Sequence, residues 1–172
     1  SRPLPLAAGS ATKAVCHNVL GELADPPALV AETTRVLRPG GLSVWSYIDL
    51  ESVVLSGGDA GLNRRVVLAC ADAGTSPGAD GRMGRRLAAE LLRSPLRRTA
   101  VDTAVFLSTS LSGPALMRVR TMFATLRDAT PNGTGRPDVD ELTTWRQGLE
   151  EADRAGQFLY AHTTYIVEAE KA

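Results

Sequence analysis

Apolar positions fall along the chain in blocks whose spacing shifts between strand-like and helical periods. The run KAVCHNV at 13–19 is short, apolar and β-branched, which suits a buried strand. Asp25 followed by Pro26 and Pro27 predicts a helix start. A capping carboxylate is followed there by prolines, at positions where the first N–H groups have no intrahelical partner. Leu29, Thr33, Val36 and Leu37 share one face of that helix, and Arg38-Pro39-Gly40-Gly41 should turn the chain out of it. The next run, LSVWSYI at 42–48, is apolar on both faces, as a central parallel strand should be. Strand, capped helix, turn and strand make a βαβ unit, expected to be right-handed.

Residues 50–94 read as helical, with glycine-rich breaks at 56–61 and 74–84. Residues 98–107 alternate like a strand. Two amphipathic helices follow near 114–128 and 138–155, separated by the turn-rich PNGTGRP. The last run, 157–169, is a long strand that ends at a charged tail, and there is no internal repeat.

Composition narrows the functions. At 172 residues the chain is one domain's worth and long enough to bury a core. Nineteen Lys and Arg against nineteen Asp and Glu leave no net charge, which argues against a broad grip on nucleic acid or an anionic membrane. A DNA-binding domain would also need a basic recognition helix, and none is evident. Cys16 and Cys70 match no metal or redox spacing, so no metal is expected and a reducing, cytoplasmic setting is the simple reading. No apolar run approaches the roughly 18 residues of a membrane span, and nothing behind Ser1-Arg2-Pro3 reads as a signal peptide.

Residues 4–44, LPLAAGSATKAVCHNVLGELADPPALVAETTRVLRPGGLSV, resemble the middle of the class I S-adenosylmethionine-dependent methyltransferases, in their small-molecule branch. Leu4-Pro5-Leu6 falls on that family's LPF and Gly9-Ser10 on its DGS. Asp25-Pro26 falls on its helix start, and RVLRPGG at 35–41 is the most specific match. Further on, Gly81-Arg82 with Arg86-Leu87 resembles a "GR-x-L" helix. Trp145 through Gly156-Gln157-Phe158 resembles the segment before the seventh strand.

The resemblance implies an α/β, Rossmann-like sheet comprising strands four to seven of that fold, with helices on both faces. It implies that 1–172 form the C-terminal part of a single domain, with a helical lid inserted at about 110–156. The activity implied is methyl transfer from S-adenosylmethionine to a small-molecule acceptor. Ala8, Ala11-Thr12 and Glu22 stand where the family carries an acid, a Phe-Asp pair and a histidine. The glycine-rich cofactor loop after the first strand is not in the sequence. Gly57-Gly58-Asp59-Ala60-Gly61 is not expected to replace it, because it follows no predicted strand. The absent half would span on the order of 70–100 residues. Without it the fourth strand becomes an apolar edge, so pairing with that N-terminal segment or with a second copy is expected.

His17 and Asn18 would sit where the fourth strand meets the cofactor crevice, contacting the methionine end of the cofactor. His17 and Glu22 are the candidate bases, should the acceptor have to lose a proton. Tyr47 and Asp49 would face the substrate mouth from the fifth strand. Plainer roles stay open: His17 bonding a loop, Glu22 solvated at a helix entry, Asp49 capping the next helix. His162 reads as a structural histidine, and Arg82, Arg85 and Arg86 as an exposed face or a phosphate site. Asn132-Gly133-Thr134 matches a glycosylation acceptor that means nothing without secretion. The competing function is a methyltransferase-fold protein that does not methylate, either a cyclase or isomerase or a sheet-completing binding subunit.

Overall fold

The computed structural model describes residues 3–74, 79–128 and 135–172. Its elements are β1 (Ala11–His17), α1 (Pro26–Val36), β2 (Leu37–Ile48), β3 (Val54–Ser56), α2 (Ala60–Ala73) and α3 (Met83–Leu91). These are followed by β4 (Leu96–Ser108), α4 (Gly113–Asp128), α5 (Val139–Arg154) and β5 (Leu159–Lys171), with single 3₁₀ turns at Leu20–Glu22 and Leu50–Ser52. The caps explain where the helices begin. Asp25 accepts the Ala28 N–H at 3.1 Å, with proline in the first turn behind it. Asp138 and Glu141 form a reciprocal capping box at the start of α5.

One sheet holds all five strands. β1 lies parallel to β2, β2 antiparallel to β5, and β5 antiparallel to β4. β3 continues the line of β2 and pairs with the start of β5. The order β1-β2-β5-β4 therefore places the last strand of the chain inside the sheet. Side chains alternate across it. Trp45, Val167 and Ala169 face one side, where Met83, Leu87 and Leu91 of α3 and Val30 of α1 cover them. Phe158 and Tyr160 face the other, under α2, α4 and α5, with Leu142, Trp145 and Leu149 at the centre of that second core. Helices thus lie on both faces.

Two sequence expectations are corrected. Arg38-Pro39-Gly40-Gly41 does not separate helix from strand, because β2 starts at Leu37. Ala11 pairs with Leu37 and Lys13 with Leu42, so two steps along β1 match five along β2. The extra residues form a bulge at which Gly40 takes a φ of 71°. Residues 50–94 are also not wholly helical. β3 is only three residues long, too short for alternation to reveal it, and it forms because β5 offers it a free ladder.

Coverage is uneven. Among the described residues β1 pairs only with β2, and Val15 on it is 76% exposed. β4, among the described residues, pairs only with β5, and Val101, Val105 and Leu107 stand exposed along it. Among the described residues, no helix is long and apolar enough to cross a membrane. Leu142, fully buried, should carry a large share of the second core. Leu142→Ala is expected to cost about 2–5 kcal/mol in urea unfolding, while Val105→Thr should change stability by less than about 0.5 kcal/mol.

Candidate functional site

The C-terminal ends of β1 and β2 gather most of the polar residues singled out in the sequence. His17 is the last residue of β1, and Asn18 follows it at a φ of 52°, a left-handed conformation that asparagine tolerates. Its orientation follows from its partners. The Asn18 N–H donates to the Ser46 carbonyl at 2.8 Å, and its Oδ1 accepts the Ile48 N–H at 3.1 Å. That leaves Nδ2 to donate to His17 Nε2 at 3.1 Å. The neutral ring then carries its proton on Nδ1, which donates to Ser46 Oγ at 2.7 Å. His17 and Asn18 are therefore a single oriented unit. A base role for His17 requires Nε2 to give up the Asn18 N–H.

Glu22 and Tyr47 make a second pair. The Tyr47 hydroxyl donates a short hydrogen bond to Glu22 Oε1. Burial raises the Tyr47 pKa, and the Glu22 hydrogen bond and charge raise it further, so the phenol stays a donor at neutral pH. The buried Tyr47 ring packs on the backbone of Gly21, where a Cβ would stand 2.5 Å from Cζ. Only glycine lets the turn after β1 press against the end of β2.

Asp49 stands apart from these pairs. It is 1% exposed, and Arg85 grips it through Nε and through Nη2, the latter 3.0 Å from Oδ1. Oδ1 also accepts the Glu51 N–H at 3.1 Å, capping the 3₁₀ turn. Its carboxylate ties the end of β2 to α3. Arg82 pairs with Glu51 and, at 2.7 Å, with Asp72; Arg86 pairs with Asp80 at 2.6 Å and Glu90 at 3.1 Å. Carboxylates therefore occupy all three arginines of the suspected phosphate cluster.

The glycine cluster at 57–61 needs correction. A strand does precede it, β3, and α2 begins at Ala60 with Asp59 as cap. Its glycines serve packing, however. A Cβ on Gly57 would overlap that of Ala152, and one on Gly58 would lie 3.3 Å from Gly148 Cα, so the loop is a seat for α5. The glycosylation match at 132–134 lies outside the described residues.

His162 is 7% exposed, hydrogen-bonded to the Tyr160 hydroxyl at 3.1 Å and stacked on Phe106 at 5.3 Å. Burial pushes its pKa down to about 4, and the nearby Arg118 adds to the effect. Arg118 and Tyr160 also line a pocket with Leu50, Cys70, Met122 and Thr125. Sequence reasoning missed Arg118, which on α4 is one arginine among many and acquires its setting only when α4 packs against β5. Among the described residues, no group of three or more His, Cys, Asp or Glu could hold a metal.

Residues 1–45 match a protein family described as "Methyltransferase domain". No curated protein matches the chain. Among solved structures, it is similar to a methyltransferase candidate from Bacillus halodurans C-125, with a TM-score of 0.54 and 10% identity over 98% of this chain and 73% of that one. It is also similar to the YcgJ protein from Bacillus subtilis, with a TM-score of 0.51 and 14% identity over 98% of this chain and 67% of that one. Likenesses at such low identity speak to the fold.

Two outcomes follow from the ion pairing and the buried imidazole. Arg85→Met leaves the buried Asp49 carboxylate without its cation, with only the Glu51 N–H still donating to it, and should lower stability by about 1–3 kcal/mol in urea unfolding. His162 resists protonation in the folded state, so the unfolded chain binds more protons between its ordinary pKa of 6.5 and about 4. The stability it contributes is full above pH 6.5 and lost as the pH falls through that window. Melting temperature should fall correspondingly, and His162→Phe should flatten that part of the profile.

Proposed function

We propose that this chain is a class I S-adenosylmethionine-dependent methyltransferase that serves methyl transfer to a small-molecule acceptor, a reading supported by its fold and by the family match over its first 45 residues. The observation that carries the reading is the His17–Asn18–Ser46 unit at the C-terminal end of β1, where ligands of open α/β sheets bind. The unit fits the polar end of the cofactor. Asn18 Nδ2 has two N–H groups and spends one on His17, leaving the other to meet a carboxylate or carbonyl oxygen. When bound, S-adenosylmethionine supplies an electrophilic methyl group on a sulfonium.

The chain's own residues would do the rest. His17 and Asn18 hold the cofactor's polar end, fixed from behind by Ser46 and Ile48. Tyr47, kept protonated, orients the Glu22 carboxylate towards the mouth of the crevice. Glu22 is the stronger candidate to take a proton from the acceptor, since Nε2 of His17 already accepts a hydrogen bond. Positioning the acceptor in a partly dry pocket supplies most of the acceleration in this reading, and α4 and α5 shape that pocket as its lid. Asp49 supports the site through Arg85 rather than touching substrate. The open edge of β1 is where a further segment of chain or a second copy would complete the sheet. The free thiols of Cys16 and Cys70 suit a cytoplasmic setting.

Titration of the full protein with S-adenosylmethionine by calorimetry tests the reading. Saturable binding is expected, and Asn18→Ala should weaken it by about three- to tenfold through one lost hydrogen bond. An intact, folded protein that shows no saturable binding would refute methyl transfer. The fold would then serve a non-methylating cyclase, isomerase or binding role.

A further inference from the structure

Among the described residues, six arginine side chains make no hydrogen bond or ion pair: Arg38, Arg64, Arg98, Arg118, Arg120 and Arg154. Five of these are exposed, and water solvates them. Arg118 alone is half-buried. It has given up part of its hydration without gaining a carboxylate, and its field reaches the hydroxyls of Tyr47 and Tyr160 and the imidazole of His162. An uncompensated guanidinium in such a place is costly unless an anion joins it.

Its surroundings narrow the anion. Leu50, Cys70, Met122 and the Tyr160 ring give the pocket an apolar wall. Two hydroxyls interrupt that wall. Thr121 Oγ1 donates to the Met117 carbonyl at 3.0 Å, so its proton is used, whereas the Thr125 hydroxyl has no partner among the described residues and can donate. One guanidinium and one hydroxyl beside apolar walls match a single carboxylate carried on an apolar body. A phosphate dianion would want a second cation or a row of backbone N–H groups, and among the described residues that line the pocket Arg118 is the one cation.

The position suits an acceptor. Ile48, at the end of β2, pairs with Thr164, so Tyr160 lies beyond the end of β2, and Leu50 lies two residues past it. The pocket therefore opens at the same end of the sheet as Asn18 and Tyr47. β2 stands between it and the strand that carries His17, so the acceptor and the cofactor's polar end are held apart.

We propose that Arg118, with Thr125, is the specificity determinant for an acceptor of one chemical class: a small apolar or aromatic molecule bearing one carboxylate. The assignment as an acceptor site rests on the methyltransferase reading, but the anion preference of the pocket does not.

Benzoate and its neutral isostere benzamide probe this directly in calorimetric and NMR titrations of the full protein. Wild type should bind benzoate about tenfold or more tightly than benzamide, the size of one charge-assisted hydrogen bond. Arg118→Met should erase that preference while keeping the wild-type fold by circular dichroism. Arg118→Lys should retain part of it, and Thr125→Val should weaken benzoate alone. Saturating S-adenosylmethionine should leave benzoate affinity unchanged. Failure of wild type to prefer benzoate, or a preference that survives in Arg118→Met, overturns the proposal. Displacement of benzoate by S-adenosylmethionine also overturns it, by assigning the pocket to the cofactor's own carboxylate. S-adenosylmethionine that binds neither wild type nor Arg118→Met sinks the methyltransferase reading and leaves the benzoate comparison intact.

Discussion

The insertion of β5 between β2 and β4 is the constraint on which the rest of the structure depends. Both of its edges carry ladders, to β2 and β3 on one side and β4 on the other. Remove it and the βαβ unit at the start of the chain has nothing to share with β4. Its two faces also divide the cores. Val167 and Ala169 belong to the core under α3, while Tyr160 belongs to the one under α4 and α5. The crevice inherits its shape from this arrangement, because β5 overshoots the end of β2 and brings Tyr160 and His162 past it.

Much of the architecture was legible where local chemistry decides it. Asp25 before two prolines is enough to start α1, and the short apolar runs around Val15 and Val44 mark their strands. The long outer elements, β4, α4, α5 and β5, declare themselves by period. What stayed hidden is long-range. β3 exists because of β5, and the glycines at 57 and 58 are explained by Gly148 and Ala152 on a helix about 90 residues away. Period also cannot show the Arg38–Gly41 segment as a bulge, because its register depends on the opposing strand.

The site divides in the same way. His17, Asn18, Glu22 and Tyr47 stand at strand ends, where position in a βαβ unit already implies a crevice, and the structure joins them as two hydrogen-bonded pairs. Asp49 stands just as close in sequence, yet its side chain turns inward to Arg85, a partner 36 residues on that no local pattern links to it. Arg118 is the converse case. Helical spacing puts it beside the core residue Val119, but only the meeting of α4 with β5 gives its charge a setting. Charge pairing across the chain is decided by tertiary packing, and sequence reasoning is blind to it.

Among the described residues β4 has one partner, and that partner is made well after it. About 50 residues separate Ser108 from Leu159, and translation at about 5–20 residues per second puts several seconds between them. Through that interval β4 has no ladder on either edge, with Val101, Val105 and Leu107 in a strand already formed for pairing. α4 and α5 are synthesised during the wait and cannot pair with it. The nascent chain thus holds an unpaired β-rich segment until β5 emerges, and an unpaired strand of this kind is a natural target for ribosome-associated chaperones.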